Sequence, residues 1–125
     1  MPVTTQAKTL GELLKYEAPN LYSREIVTIA AGQNLKLGTV LGRSMVDNKY
    51  HAFDPNDTNG LATAVGVLCV DVDATVADRD EAIMVARHAI VARGALIWPT
   101  GITDQQVTDA LQDLEERGIL VRDSA

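Results

Sequence analysis

Ala64-Val65-Gly66-Val67-Leu68-Cys69-Val70-Asp71-Val72 is the stretch whose reading decides the fold. It is a nearly unbroken apolar run of strand length, rich in valine, and it reads as a strand covered on both faces. Working outward, the chain repeats that grammar in shorter phrases. Arg24 to Ala30 alternates, with Val27 and Ile29 on one face and Ile26, Thr28 and Ala30 on the other, as a β-branched pleated surface prefers. Thr39-Val40-Leu41 is strand-like and closed by Gly42; Tyr50-His51-Ala52-Phe53 is a short strand. Ala82 to Arg87 resumes strand character through Ile83, Met84 and Val85, then come Ile90-Val91 and Ala95-Leu96-Ile97-Trp98, ended by Pro99. Between them lie turns at Ala31-Gly32-Gln33-Asn34 and Val46 to Lys49, the loop Asp54 to Gly60, and an acidic connection from Asp71 to Glu81. Short strands with such punctuation predict a small β-barrel or sandwich.

One helix is spelled out near the C-terminus. Thr103 and Gln106 form a capping box, and Asp104 places negative charge at the positive end of the helix dipole. Val107, Ala110, Leu111 and Leu114 make one apolar stripe, Gly118 suits the left-handed position beyond the last turn, and Ile119-Leu120-Val121 returns as a strand. The expected class is therefore mainly β (α+β), a barrel-like or sandwich-like body with a C-terminal amphipathic helix.

Residues 1–22 read differently. Met1 to Lys8 is small and polar; Leu10, Leu13 and Leu14 then have helical spacing, but Gly11 interrupts and Pro19-Asn20 stops what forms. A segment this short is marginal as an isolated helix, because nucleation is costly. The expectation is a flexible N-terminal arm over residues 1–22 and a single β-rich domain over residues 23–125.

Composition bounds the function. The 125 residues are 46% hydrophobic, 22% charged and 4% aromatic, and the length suits one domain of the common size, about 100–150 residues. Eleven basic against 17 acidic residues leave a net charge of −6, which argues against a nucleic-acid surface and against docking on anionic lipid. No apolar run reaches membrane-spanning length, and the N-terminus has no basic region followed by an apolar stretch, so no secretory signal is expected. Cys69 is the only cysteine, and a soluble chain with that thiol reduced is the expectation.

Chemistry is harder to find. Counting an EF-hand from Asp71 puts Val76 where glycine belongs and Ala82 where glutamate belongs, so the acidic stretch reads as a solvated loop. His51 and His88 lie in no ligand or catalytic motif, and His88, beside Arg87, reads as a surface or subunit-contact residue. Cys69 inside its apolar strand reads as core. Ser23 and Ser44 lack a nucleophile elbow, and Gly32, Gly38 and Gly42 are spaced as turn glycines, with neither a P-loop nor a dinucleotide fingerprint. The stretch from Gly32 to Gly42 has a loose likeness to carrier-domain hairpins but lacks their lysine at a tight turn. Trp98 is either a core plug or an interface anchor. No catalytic residue, cofactor or metal ligand is expected.

Several phrases in order resemble the head decoration proteins of tailed bacteriophages. They are Tyr22-Ser23-Arg24-Glu25 leading into Val27-Thr28-Ile29-Ala30, Gly38-Thr39-Val40-Leu41-Gly42, and Asp57-Thr58-Asn59-Gly60 running into Ala64-Val65-Gly66-Val67-Leu68. Asp71-Val72-Asp73-Ala74, Leu96-Ile97-Trp98-Pro99 and Gly118-Ile119 complete the series. The resemblance implies a non-enzymatic homotrimer made in the host cytoplasm and bound to the outer surface of the expanded capsid. There it would sit at three-fold and quasi-three-fold sites and stabilise the shell against packaged DNA. Its partner would be the major capsid protein, with no nucleic acid or membrane partner. The arm residues expected at that contact are Thr9, Leu10, Leu13, Leu14, Leu21 and Tyr22, and His88, Trp98 and Pro99 are expected at subunit interfaces. The alternative is a small β-barrel binding module or regulatory subunit docking on a larger protein. A metal-dependent or cysteine-dependent enzyme is the third class.

Overall fold

The computed structural model describes residues 9–18 and 22–123. Its elements are α1 (Leu10–Leu13), β1 (Leu14–Glu17), β2 (Arg24–Ile29), β3 (Gln33–Leu35), β4 (Val40–Arg43), β5 (Tyr50–Ala52) and β6 (Gly66–Leu68). They continue as β7 (Val72–Ala74), β8 (Arg79–Val85), β9 (Ala89–Ala92), a 3-10 turn (Arg93–Ala95), α2 (Asp104–Glu116) and β10 (Ile119–Arg122). Strands β2, β5, β4, β6 and β8 close into a barrel in that order, with β8 pairing back onto β2. Strands β1, β9 and β10 make a three-stranded sheet with β9 central, and β3 pairs with β7 as a ribbon. The mainly β body with one long helix is thus as the residue pattern predicts.

Alternation along the strands sorts their side chains into two cores. Val27, Ile29, Leu41, Leu68, Ala82 and Met84 belong to one cluster. Their neighbours Val40, Val67, Cys69 and Val85 turn the other way and meet Leu13, Val91, Leu96, Ala110, Leu114 and Ile119. That is why β6 needs apolar residues at consecutive positions: Val67 serves one core and Leu68 the other, both fully buried. Each such side chain contributes roughly 1.5–3 kcal/mol through burial.

The apolar run is not one strand, however. After Leu68 the chain leaves the barrel in steps: Cys69 N–H still donates to the Ile83 carbonyl of β8 at 2.8 Å, the Leu68 carbonyl accepts from Gly38 N–H at 2.8 Å, and the Asp71 carboxylate accepts from Leu37 N–H at 2.8 Å. The chain bends there into β7, which joins β3 instead of the barrel. The acidic connection likewise contains strand: β7 lies within it, and β8 starts at Arg79, opposite Ile29. Ala30 is buried, because it follows the end of β2 and no longer obeys the strand's alternation. Ala95 to Trp98 forms the end of the 3-10 turn and a single bridge between Thr39 and Ile97. Gly42 does not close a strand but lies inside β4, where a side chain would meet the backbone of Leu61 at 2.7–2.8 Å.

Helix α2 begins as its capping box requires. Gln106 N–H donates to Thr103 Oγ1 at 3.1 Å, and Thr103 N–H donates to Gln106 Oε1 at 3.0 Å. Ala110 and Leu114 are buried, Gly118 has φ +79°, and β10 follows in parallel register with β9.

Within the stretch expected to be an arm, Leu10–Glu17 packs on the body. Leu13 is fully buried in the second core, α1 packs on β9 and on the 3-10 turn, and β1 pairs antiparallel with β9. A second capping box holds α1, with Thr9 N–H donating to Glu12 Oε1 at 2.9 Å. The nucleation argument treats the segment in isolation; here tertiary partners offset that cost. Leu21 and residues 1–8 lie outside the described residues.

Candidate functional site

The N-terminal sheet is anchored to the barrel at one end. Arg24 donates to both carboxylate oxygens of Glu17, Nε to Oε2 at 2.8 Å and Nη2 to Oε1 at 2.7 Å, tying the end of β1 to the start of β2. The guanidinium, by hydrogen bond and charge, holds the Glu17 carboxyl below its usual range. The buried Ser23 hydroxyl donates to the His88 carbonyl at 2.8 Å and accepts from Ala18 N–H at 2.9 Å. Ser23 is therefore a structural clamp between β1, β2 and β9.

The pair makes the N-terminal sheet sensitive to acid. Because the folded-state carboxyl titrates lower than in the unfolded chain, its contribution is complete above the unfolded carboxylate range, about pH 4.3. It is lost as pH falls through the folded value. Glu17→Gln is expected to be less stable than the parent by up to about 1 kcal/mol near neutrality. That gap should close as urea midpoints are followed from pH 6 down towards pH 3; a gap independent of pH would show that the pair is not what stabilises the junction.

The expected contact residues fall into separate places. Thr9, Leu10, Leu13 and Leu14 lie at the start of the N-terminal sheet, beside the 3-10 turn. Tyr22 lies at its far end, where its ring centroid is 5.3 Å from that of His88 and the Arg87 guanidinium is 5.1 Å from its centre. His88 has φ +51° and lines a cleft of about 670 Å³ with Glu25, Arg43, Tyr50, Met84 and Arg87 among others. Trp98 and Pro99 line a different, smaller groove with Leu35, Lys36 and Phe53. Trp98 meets Phe53 edge-on, with ring centroids 6.1 Å apart and planes at 78°. It is half-buried, and so combines a core contact with an accessible flank.

Over residues 3–119 the chain matches the family described as Bacteriophage lambda head decoration protein D. The chain belongs to that family. A comparison with the curated proteins gives no match. Membership makes this a protein of the phage head, associated with the capsid, and a structural family of this kind suggests a non-enzyme.

The remaining groups read accordingly. Burial pushes the Cys69 thiol up to about 11, which keeps it protonated and unreactive at neutral pH. Aspartates of the acidic stretch make structural contacts. Asp78 accepts from Ala31 N–H at 2.8 Å and pairs with Lys49 at 2.5 Å, and Asp73 accepts from Thr75 N–H at 3.1 Å. Among the described residues no group of three or more His, Cys, Asp and Glu side chains converges as a metal site. Sequence reasoning missed the Glu17–Arg24 pair and the docking of α1. Thr9-x-x-Glu12 is the same capping signature as Thr103-x-x-Gln106, and it could have located α1.

Proposed function

We propose that this decoration protein acts as a homotrimer on the outside of the expanded head. Three copies seat at three-fold and quasi-three-fold positions and hold neighbouring major capsid protein subunits together against the pressure of packaged DNA. The chain's own contribution is a rigid body and an N-terminal arm that adds to the major capsid protein. The observation that carries this reading is the position of β1. Among the described residues it is an edge strand, paired with β9 alone, and the described chain begins at Thr9, just ahead of α1.

Strand addition supplies backbone hydrogen bonds for affinity and alternate side chains for register. Ordering each residue costs entropy, so a single arm binds weakly. Three on one trimer make the later contacts intramolecular and raise avidity steeply. A composite edge that forms only on expansion makes decoration follow maturation. The net charge of −6 suits an exterior address better than one against DNA.

The test is binding to emptied, expanded heads and to unexpanded precursors. A chain lacking residues 1–8 keeps the Thr9–Glu12 cap and Leu13, so it should fold and self-associate as the parent does. It should lose nearly all binding to expanded heads, measured by co-sedimentation. Binding at full affinity by the shortened chain, or equal binding of the parent to both shells, would overturn the reading.

A further inference from the structure

Asn59-Gly60 lies in the loop between β5 and β6, and Asn59 is exposed. The backbone around this pair is tied down on both sides. Asn59 N–H donates to Asp57 Oδ2 at 2.7 Å, Leu61 N–H donates to the same oxygen at 3.0 Å, and the Asn59 carbonyl accepts from Met45 N–H at 2.7 Å. Between them, the Gly60 N–H has no hydrogen-bond partner among the described residues. Glycine carries no side chain to screen that nitrogen. The other described asparagines differ at the corresponding atom. After Asn48, Lys49 N–H donates to Asp47 Oδ1 at 2.8 Å; after Asn56, Asp57 N–H donates to the Asp54 carbonyl at 3.2 Å. Asn34 lies in β3 and is followed by leucine.

We propose that Asn59-Gly60 is a site of spontaneous covalent modification, deamidation through a cyclic imide. The Gly60 nitrogen attacks Asn59 Cγ. A new C–N bond forms, the bond from Cγ to the side-chain nitrogen breaks, and ammonia leaves with the proton that Gly60 gives up. Water then opens the ring at either carbonyl carbon. Opening at Cγ leaves aspartate; opening at the main-chain carbon leaves isoaspartate, with the backbone running through the side-chain carbons. The net change is amide plus water to carboxylate plus ammonium, with no oxidant or cofactor. It adds negative charge to a chain already at −6, in a loop that holds Asp54 and Asp57. Isoaspartate also lengthens the main chain where there is little slack. Met45 N–H holds the Asn59 carbonyl, and a Cβ on Gly60 would stand 2.5 Å from the Arg43 carbonyl oxygen. The site is independent of the decoration role.

The test holds the folded full chain in mildly alkaline buffer beside the same chain unfolded in urea. Peptide mass spectrometry with fragmentation follows each amide, and enzymatic methylation detects isoaspartate. In the folded chain Asn59 should be largely converted, to a mixture of aspartate and isoaspartate, before Asn48 or Asn56 changes measurably. A more acidic form should accumulate on ion exchange. Asn59→Ser, whose hydroxyl cannot close the imide, should fold as the parent does and accumulate no such form over the same period. A folded chain that keeps the Asn59 amide overturns the proposal, and loss in the unfolded chain alone would show that the fold closes the site. An acidic form appearing in Asn59→Ser at the parent's rate overturns it by placing the new charge elsewhere. Conversion to aspartate without isoaspartate overturns it by excluding the ring.

Discussion

Leu13→Ala is expected to lower the unfolding free energy by about 2–5 kcal/mol, as read from urea or thermal denaturation. The side chain is fully buried in the core shared by the barrel, α2 and the three-stranded sheet. Truncation removes its transfer energy and leaves a cavity that cannot collapse, because barrel strands, β9 and α2 all contribute to that cluster. Against a typical total of roughly 5–15 kcal/mol the loss is severe. The size of the effect also carries topological information. A leucine in a segment lying off the body would cost almost nothing to truncate, so an unchanged midpoint would place α1 and β1 away from the core in solution. Leu10, half-buried at the same cluster, should cost less, and the ratio of the two measures how far the docking extends. Weakened docking of α1 should also lower head binding, because it frees the point from which residues 1–8 depart.

What was legible in the residues was whatever depends on neighbours in sequence. Helix α2 has its cap, stripe and terminal glycine within sixteen residues, from Thr103 to Gly118, and each has the local role that its chemistry dictates. The two-faced burial of β6 was equally open to reading, since period-two alternation with apolar residues at consecutive positions has one meaning. What stayed hidden depends on distant partners. Strand β1 exists because β9 lies beside it and Arg24 grips Glu17, and nothing in Leu14-Lys15-Tyr16-Glu17 announces either. Arg79, Asp80 and Glu81 look like loop residues, yet they extend β8 because β2 offers a ladder and their side chains remain in water. The break after Leu68 is set by Gly38 and Leu37, whose backbone N–H groups capture Leu68 and Asp71.

The candidate site follows the same division. The residues suspected at contacts are individually sensible, but the fold spreads them over the two ends of one sheet and a separate groove.

Gly38→Ala should be the most damaging glycine substitution, at about 3–5 kcal/mol. Two penalties coincide there. The backbone has φ +100°, outside the range that residues with a side chain adopt readily, and an added Cβ would land on the carbonyl oxygen of Ala95, well inside contact distance. Neither obstacle can swing aside, because both belong to main chain held by hydrogen bonds: Gly38 N–H to Leu68 O at 2.8 Å, and Ile97 N–H to Gly38 O at 2.8 Å. Gly32→Ala is the internal control. Its φ of +94° carries a similar backbone penalty, but nothing lies within 4 Å of the new methyl group, so it should cost only about 1–2 kcal/mol. The difference between the two variants, measured by urea denaturation, isolates the close approach of the 3-10 turn to the barrel. Equal losses would mean that this approach does not exist in solution. A large excess at Gly38 would show that the 3-10 turn, on which α1 packs, is seated against the barrel by backbone contact.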